Sequence, residues 1–166
     1  MTILRRDFIK FALSGLGVVA IAPYLKAVKA RAAVVIDKLT LSNDVWKTRL
    51  TPEQYDILRE EGTEHPFTSA LLNEHREGVF ACVACDLPLF PSSFKFDSGT
   101  GWPSFFDAIP GHLETKTDYK LIAPRNEYHC ARCGGHHGHV FKDGPAPTGL
   151  RYCNNGAVLK FTPKEA

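Results

Sequence analysis

The chain has 166 residues, of which 44% are hydrophobic and 23% charged, the composition of a globular protein and not of a disordered one. Its formal net charge is +2, but the first 30 residues hold five basic residues and one acidic residue. The rest of the chain holds 15 basic and 17 acidic residues and so lacks the basic excess that nucleic-acid binding requires.

The N-terminal residues have the three-part order of an export signal. Two adjacent arginines precede an uncharged run over residues 11–25, and small residues follow around Ala30 and Ala32. The run is shorter than the roughly 20 residues that span a bilayer. We therefore predict a signal peptide over residues 1–30, cleaved after Ala30 or Ala32. An amphipathic or membrane-anchoring N-terminal helix is the alternative interpretation.

The string RRDFIK at residues 5–10 resembles the twin-arginine export motif, which reads Arg-Arg, any residue, Phe, a large aliphatic residue and Lys. Leu4 departs from the motif, which prefers Ser or Thr there. Lys26 and Lys29 follow the apolar run, as in substrates of that pathway. The resemblance implies that the twin-arginine export machinery carries the folded protein out of the cytoplasm, and the periplasm is the expected destination.

The body of the chain begins with an expected extended lead-in over residues 31–43, and one domain is expected over residues 44–166. Residues 43–50 predict a short turn of helix. The string TPEQ at residues 51–54 predicts a second helix, because Thr is a capping residue, Pro suits the first helical position and Gln completes a capping box. Gly62 is expected to end that helix.

From Gly78 onwards, short apolar segments alternate with Pro and Gly, which predicts short antiparallel strands joined by long ordered loops. A further short helix over residues 70–74 precedes them. The predicted strands are 79–80, 87–90, 94–96, 119–122, 140–141, 150–153 and 158–161. Helices first and strands later indicate a mainly β (α+β) fold with short N-terminal helices.

Four of the five cysteines form two C-x-x-C pairs, Cys82 with Cys85 and Cys130 with Cys133. Two such pairs from separate strands can place four thiolates at the corners of a tetrahedron, which predicts one structural zinc ion per chain. Four protein ligands would leave that ion no open position for catalysis. Two disulfides, which export would favour, and a redox-active C-x-x-C of the thioredoxin type are the alternatives.

Cys153 remains once the paired cysteines are assigned to a metal. A single thiol in an exported protein is a candidate nucleophile, although a lone cysteine is also a common packing residue. Arg151, two residues earlier, would favour the thiolate.

A cluster of three histidines adds to this interpretation of Cys153. The string GHHGHVF at residues 135–141 brings His136, His137 and His139 together, and an imidazole near a thiol can lower its pKa or act as a general acid. A second metal site, as in a metal-dependent hydrolase, and a solvated loop are the alternatives.

Trp102 lies between Gly101 and Pro103 and is a candidate wall of a pocket for a sulfur-bound methyl group.

These elements together resemble the methionine-R-sulfoxide reductases of the B type over residues 46–161. The segments that carry the resemblance are GTE at 62–64 with PF at 66–67, the two cysteine pairs, KFDSG at 95–99, GWPSF at 101–105, His136 with GHVF at 138–141, DGP at 143–145, and RYC at 151–153 with Asn155.

The resemblance implies a fold of two small antiparallel sheets clamped by zinc, and a reaction that reduces the R epimer of methionine sulfoxide in oxidised peptides or proteins. It also implies a role for each matching residue. Cys153 matches the nucleophile, His136 and His139 the pair that protonates the sulfoxide oxygen, Asn155 a polar partner of that pair, and Trp102, Phe141 and Arg151 the substrate-lining residues.

The chain departs from this pattern at three positions. Thr100 stands where many members carry a resolving cysteine, so a thioredoxin-like protein or another external thiol is expected to regenerate the enzyme. His137 and Asn154 stand where the family usually has Leu and Ile, which predicts a more polar site edge. A monomer is expected, and a zinc-ribbon-like binding module is the competing class.

Overall fold

The computed structural model describes residues 35–121 and 123–165. The predicted signal peptide, its twin-arginine motif and both cleavage positions lie outside the described residues and stay predictions. Residues 35–42 contain no helix or strand, and Leu39 donates its backbone N–H to the Arg132 carbonyl at 2.7 Å. Among the described residues, no helix has the length and apolarity needed to cross a membrane.

Two short helices precede the sheets, α1 at Asn43–Arg49 and α2 at Pro52–Glu60. The predicted capping box is confirmed, because the Thr51 hydroxyl accepts the Gln54 N–H at 3.2 Å and the Gln54 side chain accepts the Thr51 N–H at 3.1 Å. The chain leaves α2 at Glu61, whose φ of 59° is left-handed, so the expected end at Gly62 is one residue late.

The helices bury their apolar faces on the domain core. Trp46 of α1 is 1% exposed, and the guanidinium of Arg59 from α2 lies 5.4 Å from the centre of its ring. A cation at that distance over an indole is attracted by the ring's electron density. This contact joins the two helices to each other beside the sheets.

Nine strands form two antiparallel sheets in the described chain. They are β1 Gly78–Cys82, β2 Pro88–Pro91, β3 Lys95–Phe96, β4 Ser104–Phe105, β5 Leu113–Asp118, β6 Arg125–Cys130, β7 His136–Phe141, β8 Arg151–Asn154 and β9 Leu159–Pro163. The order is β2-β1-β9 in the smaller sheet and β3-β4-β8-β7-β6-β5 in the larger one. The mainly β fold with two small antiparallel sheets is therefore confirmed.

Aromatic side chains join the two sheets. Phe90 of the smaller sheet stacks on Phe105 of the larger sheet with ring centres 4.1 Å apart, and Phe80 meets the same ring edge-on at 5.1 Å. Phe90 also packs edge-on against Tyr128. All four rings are fully buried, and pairs of this kind each contribute about 0.5–1.5 kcal/mol beyond the area that they bury.

Two predicted elements are wrong. Residues 70–73 form turns and not a helix, with Leu72 donating to the Ser69 carbonyl. Of the predicted strand at 119–122, the described residues 119–121 form no strand, because the Asp118 carboxylate accepts the Lys120 N–H and turns the chain after β5. The sequence pattern missed β5 and β6 themselves, since the polar string LETKTD forms an edge strand that is mostly exposed.

Candidate active site and metal site

The four paired cysteines converge on one point. The Sγ atoms of Cys82 and Cys133 are 3.7 Å apart, those of Cys85 and Cys130 are 3.5 Å apart, and all four lie within 4.8 Å of one another. A tetrahedral zinc site with Zn–S bonds of about 2.3 Å needs sulfur–sulfur distances of about 3.8 Å. The donor set and its spacing therefore fit a tetrahedral thiolate-bound metal ion.

The same distances speak against the alternative of two disulfides. All five cysteines are free thiols, and the short sulfur–sulfur distances join one C-x-x-C pair to the other, not the two members of a pair. A disulfide requires about 2.0 Å between sulfurs. The thiols thus have the arrangement of metal ligands.

The two C-x-x-C turns close in the same way. Asp86, with φ of 56°, donates its N–H to the Cys82 carbonyl at 2.8 Å, and Gly134, with φ of 68°, donates to the Cys130 carbonyl at 2.9 Å. A left-handed residue after the second cysteine folds each turn so that both of its sulfurs face one side. Arg59 also donates to the Cys133 carbonyl at 3.1 Å and ties helix α2 to the second turn.

Cys153 lies in the centre of the larger sheet, on β8. Its register neighbours are Ser104 on β4 and His139 on β7, one on each side. The backbones of β7 and β8 approach closely at this point, since a Cβ on Gly138 would lie 2.0 Å from the Cys153 carbonyl oxygen. Glycine at position 138 is therefore a requirement of the strand pairing that places His139 next to Cys153.

Cys153 opens into a cavity of about 180 Å³. Four predicted site residues line it together with Cys153 itself: Trp102, His139, Phe141 and Asn155. The indole Nε1–H of Trp102 donates to the Glu64 carbonyl at 3.2 Å, which fixes the orientation of that wall. A partly exposed thiol thus shares one small cavity with an indole, an imidazole and a phenyl ring.

Burial raises the pKa of the Cys153 thiol above its ordinary value. The charge of Arg151 and hydrogen bonds from Thr100 and Arg151 lower the pKa again in part, whereas the charge of Asp143 raises it. Arg151 is itself held by Asp143 through two bonds of 2.9 and 2.8 Å, and its guanidinium lies 4.4 Å from the centre of the Phe141 ring. Arg151 therefore lies near the thiol in charge terms, but it does not line the cavity into which Cys153 opens.

His139 is held by a buried carboxylate. Its Nε2 lies 2.8 Å from Asp118 Oδ2, and the same oxygen lies 2.6 Å from the Arg125 guanidinium. The backbone N–H of Lys120 and the His139 hydrogen bond hold the pKa of Asp118 well below its usual range. An ionised Asp118 fixes the proton on Nε2, so a second proton on this imidazole goes to Nδ1.

His136 does not line the cavity. It is 3% exposed, its Nδ1 lies 3.0 Å from Glu127 Oε1, and its ring centre is 5.4 Å from that of His139. Burial lowers its pKa, and Glu127 offsets this in part. His136 thus supports the position of His139 from behind.

His137 and Asn154 are both fully buried. Burial lowers the pKa of His137 to about 3, so the ring is neutral in the physiological range. Asn154 lines the cavity and accepts the Tyr128 hydroxyl at 2.8 Å, whereas His137 does not line it. In the described residues, the four cysteines are the only group of three or more metal-binding side chains, so the three histidines do not converge as a hydrolase site requires.

Asn155 is engaged on both sides of its amide. Its Oδ1 accepts the Glu64 N–H at 3.0 Å, and its Nδ2 donates to the His137 carbonyl at 3.0 Å. The Glu64 carboxylate in turn accepts the N–H groups of Gly156 and Ala157 at 2.6 and 2.8 Å. Glu64 therefore connects the Trp102 wall to the segment that follows Cys153.

Sequence reasoning did not single out Asp118, Glu64 or Thr63, the last of which lines the cavity. Asp118 lies in the polar strand that the pattern missed, and nothing in the local sequence pairs it with His139. Glu64 and Thr63 lie in the string GTE, which entered only as part of a resemblance. The one signal available for Asp118 was that it is an acidic residue, a type common in turns, at the end of a short polar segment.

The family model of the SelR domain matches residues 50–163 of this chain. The chain belongs to the SelR domain family. It is 55% identical over 127 residues to "Peptide methionine sulfoxide reductase B1, chloroplastic" of Arabidopsis thaliana, with 76% of this chain and 63% of the relative covered. The chain thus spans a little under two thirds of that plant protein.

Two microbial relatives are covered almost completely. The chain is 53% identical over 127 residues to "Peptide methionine sulfoxide reductase MsrB" of Agrobacterium fabrum, which covers 76% of this chain and 94% of the relative. It is 51% identical over 125 residues to the protein of the same name from Methanosarcina barkeri, with 75% and 88% covered. The family expected from the sequence motifs is confirmed.

Proposed function

We propose that this chain reduces the R epimer of methionine sulfoxide, in peptides or proteins, to methionine, with Cys153 as the nucleophile. The observation that carries the proposal is the cavity in which the free Cys153 thiol meets Trp102 and His139, in a member of the SelR domain family. The names of the relatives indicate methionine sulfoxide as the substrate, and the side chains that line the cavity suit that substrate.

The substrate has an apolar methyl group and a polar oxygen on one sulfur atom. Trp102 and Phe141 offer aromatic faces to the methyl group, since thioether and methyl groups pack well against rings. His139 offers a proton donor to the oxygen. One chiral arrangement of these three groups around the attacking thiol would select one sulfoxide epimer.

In the first half-reaction the Cys153 thiolate attacks the sulfoxide sulfur, and the sulfoxide oxygen is transferred to Cys153. A proton from His139 neutralises the oxygen, methionine leaves with the electron pair, and Cys153 becomes a sulfenic acid. Arg151 assists by holding a positive charge beside a thiol whose pKa burial has raised. Asp118 keeps the imidazole in the orientation that points Nδ1 away from the carboxylate.

A thiol from outside the chain regenerates Cys153 in the second half-reaction. The other four cysteines are ligands of the proposed metal site, and the side chain at position 100 is a threonine. A thioredoxin-like protein or another thiol reductant is therefore the proposed partner.

Zinc is the metal that we propose for the four-cysteine cluster, held by Cys82, Cys85, Cys130 and Cys133. A zinc ion with four thiolate ligands would cross-link the two C-x-x-C turns and take no part in the reaction. One zinc per chain, measured by atomic absorption on purified protein, supports this assignment. Two metals per chain would favour the hydrolase alternative.

We also propose that residues 1–30 direct export of the folded protein to the periplasm by the twin-arginine route. Support comes from the RRDFIK string and the uncharged run that follows it. The test is fractionation of cells that express the full chain, beside a variant in which Arg5 and Arg6 are both lysine. Equal periplasmic amounts of both proteins would contradict the proposal.

The decisive experiment is intact-protein mass spectrometry after one equivalent of methionine-R-sulfoxide, without any thiol. We expect one methionine released per chain and one oxygen gained, located on Cys153. The Cys153→Ser variant should bind its metal normally and release no methionine. Retained turnover in that variant would rule out the mechanism, and metal-loaded wild type without turnover would favour a binding module.

A further inference from the structure

A buried glutamate lies behind the proposed proton donor, His139. Glu127 on β6 is 2% exposed, and its register partner on β7 is His139, which in turn pairs with Cys153 on β8. Directly opposed residues of antiparallel strands project from the same face of a sheet. Glu127, His139 and Cys153 therefore follow one another across one face of the larger sheet.

An irregularity in the strand pairing adds a second imidazole to this face. The pairing of β6 with β7 shifts by one residue next to His129, whose partner is His136, so His137 is an extra residue in β7. An extra residue interrupts the alternation of side chains along a strand. His136 and His139 consequently lie together, with ring centres 5.4 Å apart, and we call them the imidazole pair.

Glu127 contacts the second imidazole and has a counter-charge of its own. Its Oε1 lies 3.0 Å from His136 Nδ1, and its Oε2 lies 3.0 Å from the ammonium nitrogen of Lys116 on β5. The buried Nδ1 of His136 has no hydrogen bond of good geometry within the described residues, so the carboxylate acts on it mainly by charge. The half-exposed Lys116 offsets part of that charge.

Glu127 is the carboxylate that contacts His136 in the described part of the chain. The other titratable or charged neighbours of the imidazole pair are Asp118 on β5, Arg125 and His129 on β6, His137 on β7, Cys153 on β8 and Glu61 after α2. Asp118 binds His139, and Glu61 is paired with two lysines. Removal of the Glu127 charge therefore changes the electrostatics at His136 directly.

We infer that Glu127 is a positioning residue of the proposed reduction, on which this inference rests: its charge favours the protonated form of the imidazole pair, which supplies a proton to the sulfoxide oxygen. Burial works against a charged imidazole and lowers the pKa of His136. A carboxylate at contact distance offsets that cost. Glu127 thereby increases the fraction of molecules in which a proton donor is available at neutral pH.

This role predicts a particular pH dependence of methionine release. The step needs a protonated imidazole and an ionised thiol at once, and imidazoles ordinarily titrate at about pH 6.5, below a thiol such as Cys153, whose pKa burial raises. The rate should rise with pH up to the imidazole midpoint, stay level between the two midpoints and fall above the thiol midpoint. Loss of a negative charge beside the imidazoles lowers the level rate, but it leaves the rate in acid unchanged, because the imidazoles are protonated there in every variant.

The test is single-turnover release of methionine from methionine-R-sulfoxide by the full chain, from about pH 5 to about pH 10. Glu127→Gln removes the negative charge and keeps the shape of the side chain. Lys116→Gln removes the positive charge and keeps a hydrogen-bond donor. Glu114→Gln on β5 is the matched control, because Glu114 also lies beside a lysine and a histidine, Lys38 and His129, outside the imidazole pair.

We expect Glu127→Gln to lower the level rate about tenfold and to move the acidic midpoint down by about one pH unit, the size of one opposite charge at contact distance. Lys116→Gln should act in the opposite direction and raise the level rate about twofold to threefold, because the carboxylate is no longer offset. Glu114→Gln should match wild type. Metal content and regeneration by an external thiol should be unchanged in all three variants.

Two results would overturn the inference. One is a Glu127→Gln profile that equals wild type, or that is lowered by the same factor at every pH, as damage to the fold would produce. The other is a level rate in Lys116→Gln that does not rise, which decides the question even where Glu127→Gln does not fold. Wild type that releases no methionine contradicts the proposed function instead, so the two failures are distinguishable.

Discussion

The four-cysteine cluster and the surroundings of Cys153 put the same side chain to two different uses. In the cluster, four sulfurs lie within 4.8 Å of one another, held by two turns of matching conformation. Cys153 instead lies on a central strand with a hydroxyl on one side and an imidazole on the other. Neighbours within reach, not the thiol itself, decide whether a cysteine holds a metal or reacts.

The two regions also differ in the charged groups that surround their sulfur atoms. The cluster offers four thiolates to one cation, so the sulfurs are stabilised together and lose their reactivity when metal binds. Near Cys153, the cationic side chains are paired with carboxylates: Arg151 with Asp143, and Arg125, which lines the same cavity, with Asp118. The pKa of the Cys153 thiol therefore remains raised by burial, and the thiolate is a minority species at neutral pH.

The largest predicted effect separates the two kinds of cysteine. Cys82→Ser should lose the metal and on the order of 5 kcal/mol or more of stability, because a structural zinc site contributes directly to folding. Cys153→Ser should keep both the metal and the melting temperature but lose turnover. Metal content, thermal melts and activity of both variants check this. Equal stability of the two variants would contradict the division of roles.

A second prediction concerns the close approach of β7 and β8. Gly138→Ala should destabilise the domain by about 1–3 kcal/mol, because its Cβ would collide with the Cys153 carbonyl oxygen and the strands must separate. The value of kcat/KM should fall by more than the lost stability alone explains, because His139 moves away from Cys153. Denaturant melts and kcat/KM measure the two effects. The control is Gly149→Ala, whose added Cβ meets nothing within 4 Å and carries only the backbone strain of a φ of 70°.

A third prediction concerns the carboxylate behind His139. Asp118→Asn should lower kcat about 10-fold to 100-fold, up to the lower end of the roughly 10²–10⁴-fold that general acid catalysis contributes, because an amide orients the imidazole less firmly than the carboxylate does. Metal content should not change. The effect should appear in the first half-reaction, as slower methionine release in a single turnover, and not in regeneration by thiol. An effect on regeneration alone would assign Asp118 a different role.

The smallest predicted effect is in the pH dependence. The raised pKa of Cys153 means that the thiolate fraction at neutral pH is smaller than for a free cysteine, so alkylation by iodoacetamide should still be rising above pH 9. Below the pKa, the rate should increase about tenfold per pH unit. Arg151→Met should move the profile to still higher pH, since Asp143 then acts on the thiol without its partner. A profile centred near pH 7 would contradict this.

Much of the fold could be predicted from local signals. The capping residues Thr51 and Gln54 predicted the second helix, and short apolar segments between Pro and Gly predicted most strands. Strands β5 and β6 could not be predicted in this way. Their buried Glu127 is satisfied by Lys116 at 3.0 Å and lies 3.0 Å from His136, partners that only the folded sheet supplies.

The candidate site was predicted in part for the same reason. Cys153 and Trp102 stand out in the sequence, and the structure brings them into one cavity with His139. The string GHHGHVF does not show that His136 supports the site from behind or that His137 faces the core. Those differences come from strand alternation, and the Asp118 contact comes from a turn 21 residues away.

Arg59 connects Trp46 to the four-cysteine cluster, because its guanidinium lies over the indole and also donates a hydrogen bond to the Cys133 carbonyl. The chain has two tryptophans, and the other one, Trp102, forms a wall of the catalytic cavity. Each indole is thus an intrinsic fluorophore for a different event. We expect emission from Trp46 to respond to metal loading and emission from Trp102 to respond to arrival of the sulfoxide, and single Trp→Phe variants would allow each to be followed without an added dye.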